Sequence, residues 1–87
     1  MIKIFVDFNA RDEDGRLWLN FERSRRDLEE HKDVIQEGLE VLFVDPDELE
    51  APGILTFDEI HGTWKGIPDM SRLKQLREWG GNDPDLG

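Results

Sequence analysis

The chain has 87 residues, 21 Asp and Glu against 11 Lys and Arg, a formal charge of −10 and no cysteine. That length allows one domain with a small core, burying roughly 60% of the unfolded surface. The missing cysteines exclude a disulfide framework and a thiolate zinc site, and the negative field opposes phosphate backbones while favouring basic partners.

The first residues show neither a basic start followed by a long apolar run nor a small-residue cleavage site, and no stretch approaches the length of a membrane span, so a cytoplasmic protein is expected. Ile2, Ile4, Val6 and Phe8 alternate with Lys3, Phe5, Asp7 and Asn9, and Leu17, Leu19 and Phe21 alternate with Arg16, Trp18, Asn20 and Glu22. Both patterns predict half-buried strands. Asp14-Gly15 between them suits the centre of a two-residue hairpin turn, which would set Phe8 opposite Phe21 and Asp7 opposite Glu22. The acidic tip Asp12-Glu13-Asp14-Gly15 fails the spacing of a calcium loop, because Ala10 and Phe21 would fall on ligand positions. A solvated turn is expected there.

Ser24-x-x-Asp27 approximates a capping box and predicts a helix at about 25–32, or one running to Glu37 with Gly38 just past its end. Arg23, Arg25 and Arg26 crowd its first turn against the macrodipole. They read either as a small anion-contacting spot or, for Arg25 and Arg26, as i, i+4 partners of Glu29 and Glu30 on a wet face.

Leu39, Val41 and Phe43 alternate with Leu42 and Val44, which predicts a central strand apolar on both faces. Asp45-Pro46-Asp47-Glu48 has the order of a short helix start, closed by Pro52-Gly53. Ile54–Asp58 and Thr63–Ile67 predict a second hairpin around a four-residue loop with Gly62 left-handed, placing Phe57 opposite Trp64 as a core aromatic pair. Met70, Leu73, Leu76 and Trp79, spaced by three, predict a closing helix. Residues 1–80 then form the domain, and 81–87 a disordered tail.

The resulting order, β-β-α-β-β-β-α, predicts a mostly β fold: a small barrel or rolled antiparallel sheet, or alternatively an open α+β sheet with helices on one face. The central stretch, an apolar strand, acidic loop, strand, tight hairpin and Trp-x-Gly strand ending near a proline, resembles an SH3-like small barrel. The chain has no tyrosine, whereas peptide-binding SH3 domains line their groove with tyrosines, so the resemblance does not extend to proline-rich ligands. Gly38, Val41, Asp45, Gly53, Leu55, Phe57, Asp58, Gly62 and Trp64 also make the chain similar to small acidic bacterial proteins, a resemblance that implies no activity.

Residues 38–69 carry eight acids (Glu40, Asp45, Asp47, Glu48, Glu50, Asp58, Glu59, Asp69) against Lys65 alone, −7 of the total of −10. Asp58, Glu59 and His61 are the acid–base cluster that includes a histidine, but no nucleophile accompanies them and a hairpin tip is a poor cleft. The expected function is therefore a non-enzymatic interaction module without cofactor or metal. Its acidic loops (Asp45, Asp47, Glu48, Glu50; Asp58, Glu59, His61) would meet a basic protein surface. A small acidic regulator mimicking nucleic acid is the alternative, and metal-assisted hydrolysis by the loop carboxylates the third reading.

Overall fold

The computed structural model describes residues 1–46 and 48–76. It is mostly β, a curled half-barrel sheet with one helix, as a small barrel-like fold requires. The elements are β1 (Lys3–Phe5), β2 (Leu17–Trp18), α1 (Glu22–Glu30), β3 (Glu40–Asp45), β4 (Leu49–Asp58), β5 (Thr63–Pro68), a 3-10 turn (Met70–Arg72) and β6 (Lys74–Gln75). The sheet order is β1-β3-β4-β5-β2, with β6 paired to β4 beyond the end of β5. Ile4, Val6, Phe8, Leu17, Leu19, Val41, Phe43, Ala51 and Leu55 form the buried core, with Leu28 and Ile35 packed against it.

Phe43 lies at the centre of this core, and two glycines make room for it. A Cβ on Gly66 would lie 2.5 and 2.6 Å from Phe43 ring atoms, and one on Gly53 would lie 2.7 Å from the same ring. Side-chain-free positions on β4 and β5 thus let the ring lie against the backbone, and the inner face can curl around it. The predicted register of the second hairpin holds: Phe57 faces Trp64, Leu55 faces Gly66, and Gly62 has φ 65°. The aromatic pair forms, with ring centroids 5.2 Å apart. Only half of it belongs to the core, however: Trp64 packs against the buried cluster, whereas Phe57 is 41% exposed at the rim.

The first hairpin departs from expectation. β1 pairs in parallel with β3 (Ile4 opposite Phe43), and the N-terminal stretch turns away after Val6, with Ala10 N–H bonding Asp7 C=O at 2.9 Å. Arg11 opposite Leu17 and the Trp18 N–H to Ala10 C=O bond (3.0 Å) join the two arms near the tip. The turn is one residue longer than expected: Asp12 N–H bonds Arg16 C=O at 2.8 Å, and Gly15 has φ 84°. This is the three-residue hairpin loop with a left-handed glycine, so the Phe8–Phe21 and Asp7–Glu22 pairings do not form. The alternation marks Ile4, Val6, Phe8, Leu17 and Leu19 as buried, though Ile2 and Phe21 are half-buried, and burial does not specify the neighbouring strand.

The helix starts earlier than its apparent capping box, with Phe21 as N-cap and no side-chain cap. Ser24 and Asp27 serve β1 instead. Ser24 Oγ donates to Phe5 C=O at 2.6 Å, and Phe5 N–H donates to Asp27 Oδ2 at 2.8 Å. β1 is an edge strand, and these two side chains satisfy its outward-facing backbone, as exposed edges require. The helix ends at Glu30 and does not reach Glu37. Gly38 takes φ 82° at the entry to β3, where its N–H bonds Leu55 C=O at 2.8 Å.

The expected helix start at Asp45 and Pro46 is instead a tight β3–β4 turn, with Glu48 N–H bonding Asp45 C=O at 3.0 Å. Pro52-Gly53 does not interrupt the chain either; β4 runs ten residues through it. The closing helix is replaced by the 3-10 turn and β6, and Met70, Leu73 and Leu76 are exposed. Asp69 accepts from Ser71 N–H at 3.1 Å, which fixes the turn. Trp79 and the tail expected at 81–87 lie outside the described residues. No helix among the described residues is long and apolar enough to cross a membrane.

Candidate functional site

The outer face of the sheet carries a buried charge cluster centred on Lys65. Side chains alternate along β5, so Trp64 faces inward and Lys65 outward; Trp18, opposite Lys65 in the β2–β5 register, lies over it. The Lys65 ammonium, fully buried, is 4.0 Å from the Trp18 ring centroid, a cation–π contact. It lies 2.8 Å from Asp12 Oδ2 and 2.6 Å from Asp58 Oδ2, two carboxylates whose side chains are only 4% exposed. Arg16 completes the set, with Nε 2.8 Å from Asp12 and Nη2 3.3 Å from Asp58.

Each carboxylate also builds its own turn. Asp12 Oδ1 accepts the N–H groups of Asp14 and Arg16, both at 2.9 Å, holding the β1–β2 tip. Asp58 Oδ1 accepts Ile60 N–H at 2.9 Å and His61 N–H at 3.4 Å, holding the β4–β5 tip. Burial pushes the Asp12 carboxyl up, but hydrogen bonds from Lys65, from the Arg16 and Asp14 backbone and from the Arg16 guanidinium hold it well below the usual carboxylate range. Asp58 is likewise held low, chiefly by Lys65 and then His61, against burial. Burial pulls the Lys65 ammonium down, yet its bonds to Asp12 and Asp58 prevail and raise it above its ordinary value.

His61 Nδ1 sits 2.8 Å from Asp58 Oδ2 and 3.2 Å from Lys65 Nζ, and the ring meets Trp18 edge-on at 5.1 Å between centroids. One nitrogen cannot serve both neighbours at once: with its proton it donates to Asp58, and without it it accepts from Lys65. The hydroxyls of Ser24 and Ser71 are committed elsewhere, to Phe5 C=O and to Asp69 Oδ1 (2.6 Å). The cluster therefore assembles a closed ion network at the junction of two hairpin tips, and the cation between its carboxylates is the lysine itself. Among the described residues, no group of three or more His, Cys, Asp and Glu is placed to hold a metal ion. Every buried side-chain nitrogen and oxygen there has a partner.

The two acidic loops proposed from sequence as one surface occupy opposite ends of β4, roughly 30 Å apart at about 3.3 Å per residue. Asp45 is half-buried, its Oδ2 3.4 Å from Phe8 N–H, Glu48 is exposed in the β3–β4 turn, and Glu50 lies opposite Lys74 of β6. Asp47 lies outside the described residues. At the other end, Asp58 is buried while Glu59 and His61 are exposed. The structure joins Asp58 to Arg16 of the second predicted strand and, through Lys65 and Arg16, to Asp12 at the tip expected to be a solvated turn. Lys65 is the legible sign, a lone cation amid eight acids, and Asp58 lies within the same hairpin; Asp12 and Arg16, however, reach it through the β2–β5 pairing, which has no local signature.

The arginines are also dispersed. Arg23 stacks over the Phe5 ring at 4.7 Å, and Arg26 pairs with Glu22 at 3.4 Å. Arg25 faces the other side of α1 and has no carboxylate partner among the described residues, so neither expected i, i+4 pair forms. No protein-family model matches the chain, and no curated protein or solved structure matches it significantly.

Proposed function

We propose that this chain is a non-enzymatic protein-interaction module that docks through the end where its two hairpin tips meet, onto a basic surface of another protein. The observation carrying this reading is Ile60, 91% exposed on a turn that Asp58 pins from inside. An apolar side chain held out rigidly loses little conformational entropy on binding, and the exposed Glu13, Asp14 and Glu59 give the two tips negative charge. The Lys65 cluster contains two acids and two bases, so the whole excess of −10 lies outside it. The non-enzymatic reading is supported by the mutual saturation of Lys65, Arg16, Asp12 and Asp58, which leaves His61 without a nucleophile to activate. The acids of the β3–β4 turn add to the long-range field that steers a basic partner.

The test is affinity capture at about 0.05 M and about 0.5 M salt, which spans the screening range, with wild type, Ile60→Asp and Glu13→Lys/Glu59→Lys as baits. Basic proteins, lost at high salt and depleted at least about tenfold with either variant, are expected. Captured proteins that are not basic, or that persist through salt and substitution, would refute the reading. Displacement of the partner by duplex DNA or RNA would identify nucleic-acid mimicry instead.

A further inference from the structure

We infer that the groove between α1 and the β4–β5 hairpin binds a small aromatic carboxylate. This groove lies on the inner face of the sheet, away from the Lys65 cluster, where α1 stops short of covering the core. Its volume is about 410 Å³, within the range of small-molecule clefts. Leu28 and Ile35 form one wall and the Phe57–Trp64 pair the other. The two rings meet at 76° with centroids 5.2 Å apart, so they offer a ring face and a ring edge against which a further aromatic body can pack.

Charge selects the anion. The protein is at −10, yet the rim of this groove presents Arg25 and Lys32 with Glu29 as the acid among its lining residues. Lys32 and Glu29 offset one another at 3.2 Å, whereas Arg25 has no carboxylate partner among the described residues. Arg25 also sits near the helix N-terminus, where a cation is disfavoured by the macrodipole. Its planar guanidinium at the mouth of an aromatic-walled groove fits a carboxylate in paired geometry. The polar group of the ligand would lie at the rim and its ring between Trp64 and Leu28.

The test is a titration of the isotopically labelled chain with naphthalene carboxylate and, separately, its neutral amide, followed by amide and indole NMR shifts. With a ligand of this size the carboxylate should saturate at about millimolar concentration. Shifts should be confined to the groove: Leu19, α1, Lys32, Ile35, Phe57, Gly62, Thr63 and the Trp64 indole. Arg25→Gln, an exposed substitution that leaves the fold intact, should weaken the carboxylate about three- to tenfold and leave the amide unchanged. Phe57→Ser should weaken both. Equal affinity for carboxylate and amide, indifference to Arg25→Gln, or shifts centred outside the groove would each overturn the assignment.

Discussion

Replacing Gly66 with alanine tests the proposed packing of Phe43 directly. The new methyl would lie 2.5 and 2.6 Å from two Phe43 ring atoms, against 3.4–4 Å for ordinary contact, so the ring must move by about 1 Å within a full core. Overpacking of this kind costs about 1–3 kcal/mol, and 2 kcal/mol in a domain this small lowers Tm by about 10 °C. Phe43→Leu removes the opposing ring at a cost of about 1–2 kcal/mol, after which the Gly66 methyl occupies vacated space. In that background Gly66→Ala should cost less than about 0.5 kcal/mol, giving a coupling near 2 kcal/mol in a double-mutant cycle read from urea midpoints. Gly53→Ala supplies the contrast. Its methyl would run into the Ile67 carbonyl oxygen as well as the ring, and backbone cannot be trimmed, so Phe43→Leu should not rescue it. A neutral Gly66→Ala, or equal rescue of both glycine variants, would refute the reasoning.

Two further outcomes follow from the polar contacts. Asp12 and Asp58 titrate below their ordinary range in the folded chain, so their contribution to stability is present in full above about pH 5 and is lost as pH falls through the folded values. Lys65 titrates above its ordinary value, so its contribution is complete below about pH 10 and is lost as pH rises further. Urea midpoints measured against pH should therefore form a plateau with both limbs, and Lys65→Met should lower the plateau and flatten both; an unchanged profile would show that the lysine is not the partner of these acids. Ser24→Ala removes the donor to Phe5 C=O and should cost about 1–2 kcal/mol, with faster exchange of the backbone amides of β1. A cost below about 0.3 kcal/mol would place the edge of β1 in contact with water.

The inner face was legible because burial follows a local period. Ile4, Val6, Phe8, Leu17, Leu19, Val41, Phe43 and Leu55 announce themselves by alternation, and the second hairpin by a four-residue loop ending in glycine, whose turn geometry fixes its own register. Ser24-x-x-Asp27 shows the opposite case. The same residues that cap a helix can hydrogen-bond any nearby backbone, and only the docking of α1 on β1 decides that they serve Phe5. Asp12 and Asp58 likewise sit in turns where acids are ordinary, and nothing local separates a buried carboxylate from a solvated one.

By itself, the sequence determined an acidic, β-rich chain, the alternating apolar residues of its inner face and the Phe57–Trp64 register, because periodicity and turn chemistry act over a few residues. Tertiary structure alone decided that β1 lies parallel to β3, that the distant Asp12 joins Asp58 in enclosing Lys65, and that the acidic loops lie at opposite ends of β4. Strand pairing, long-range ion contacts and the division of charge between surface and interior depend on which distant segments meet, and that choice is made by the packing of the whole core around Phe43.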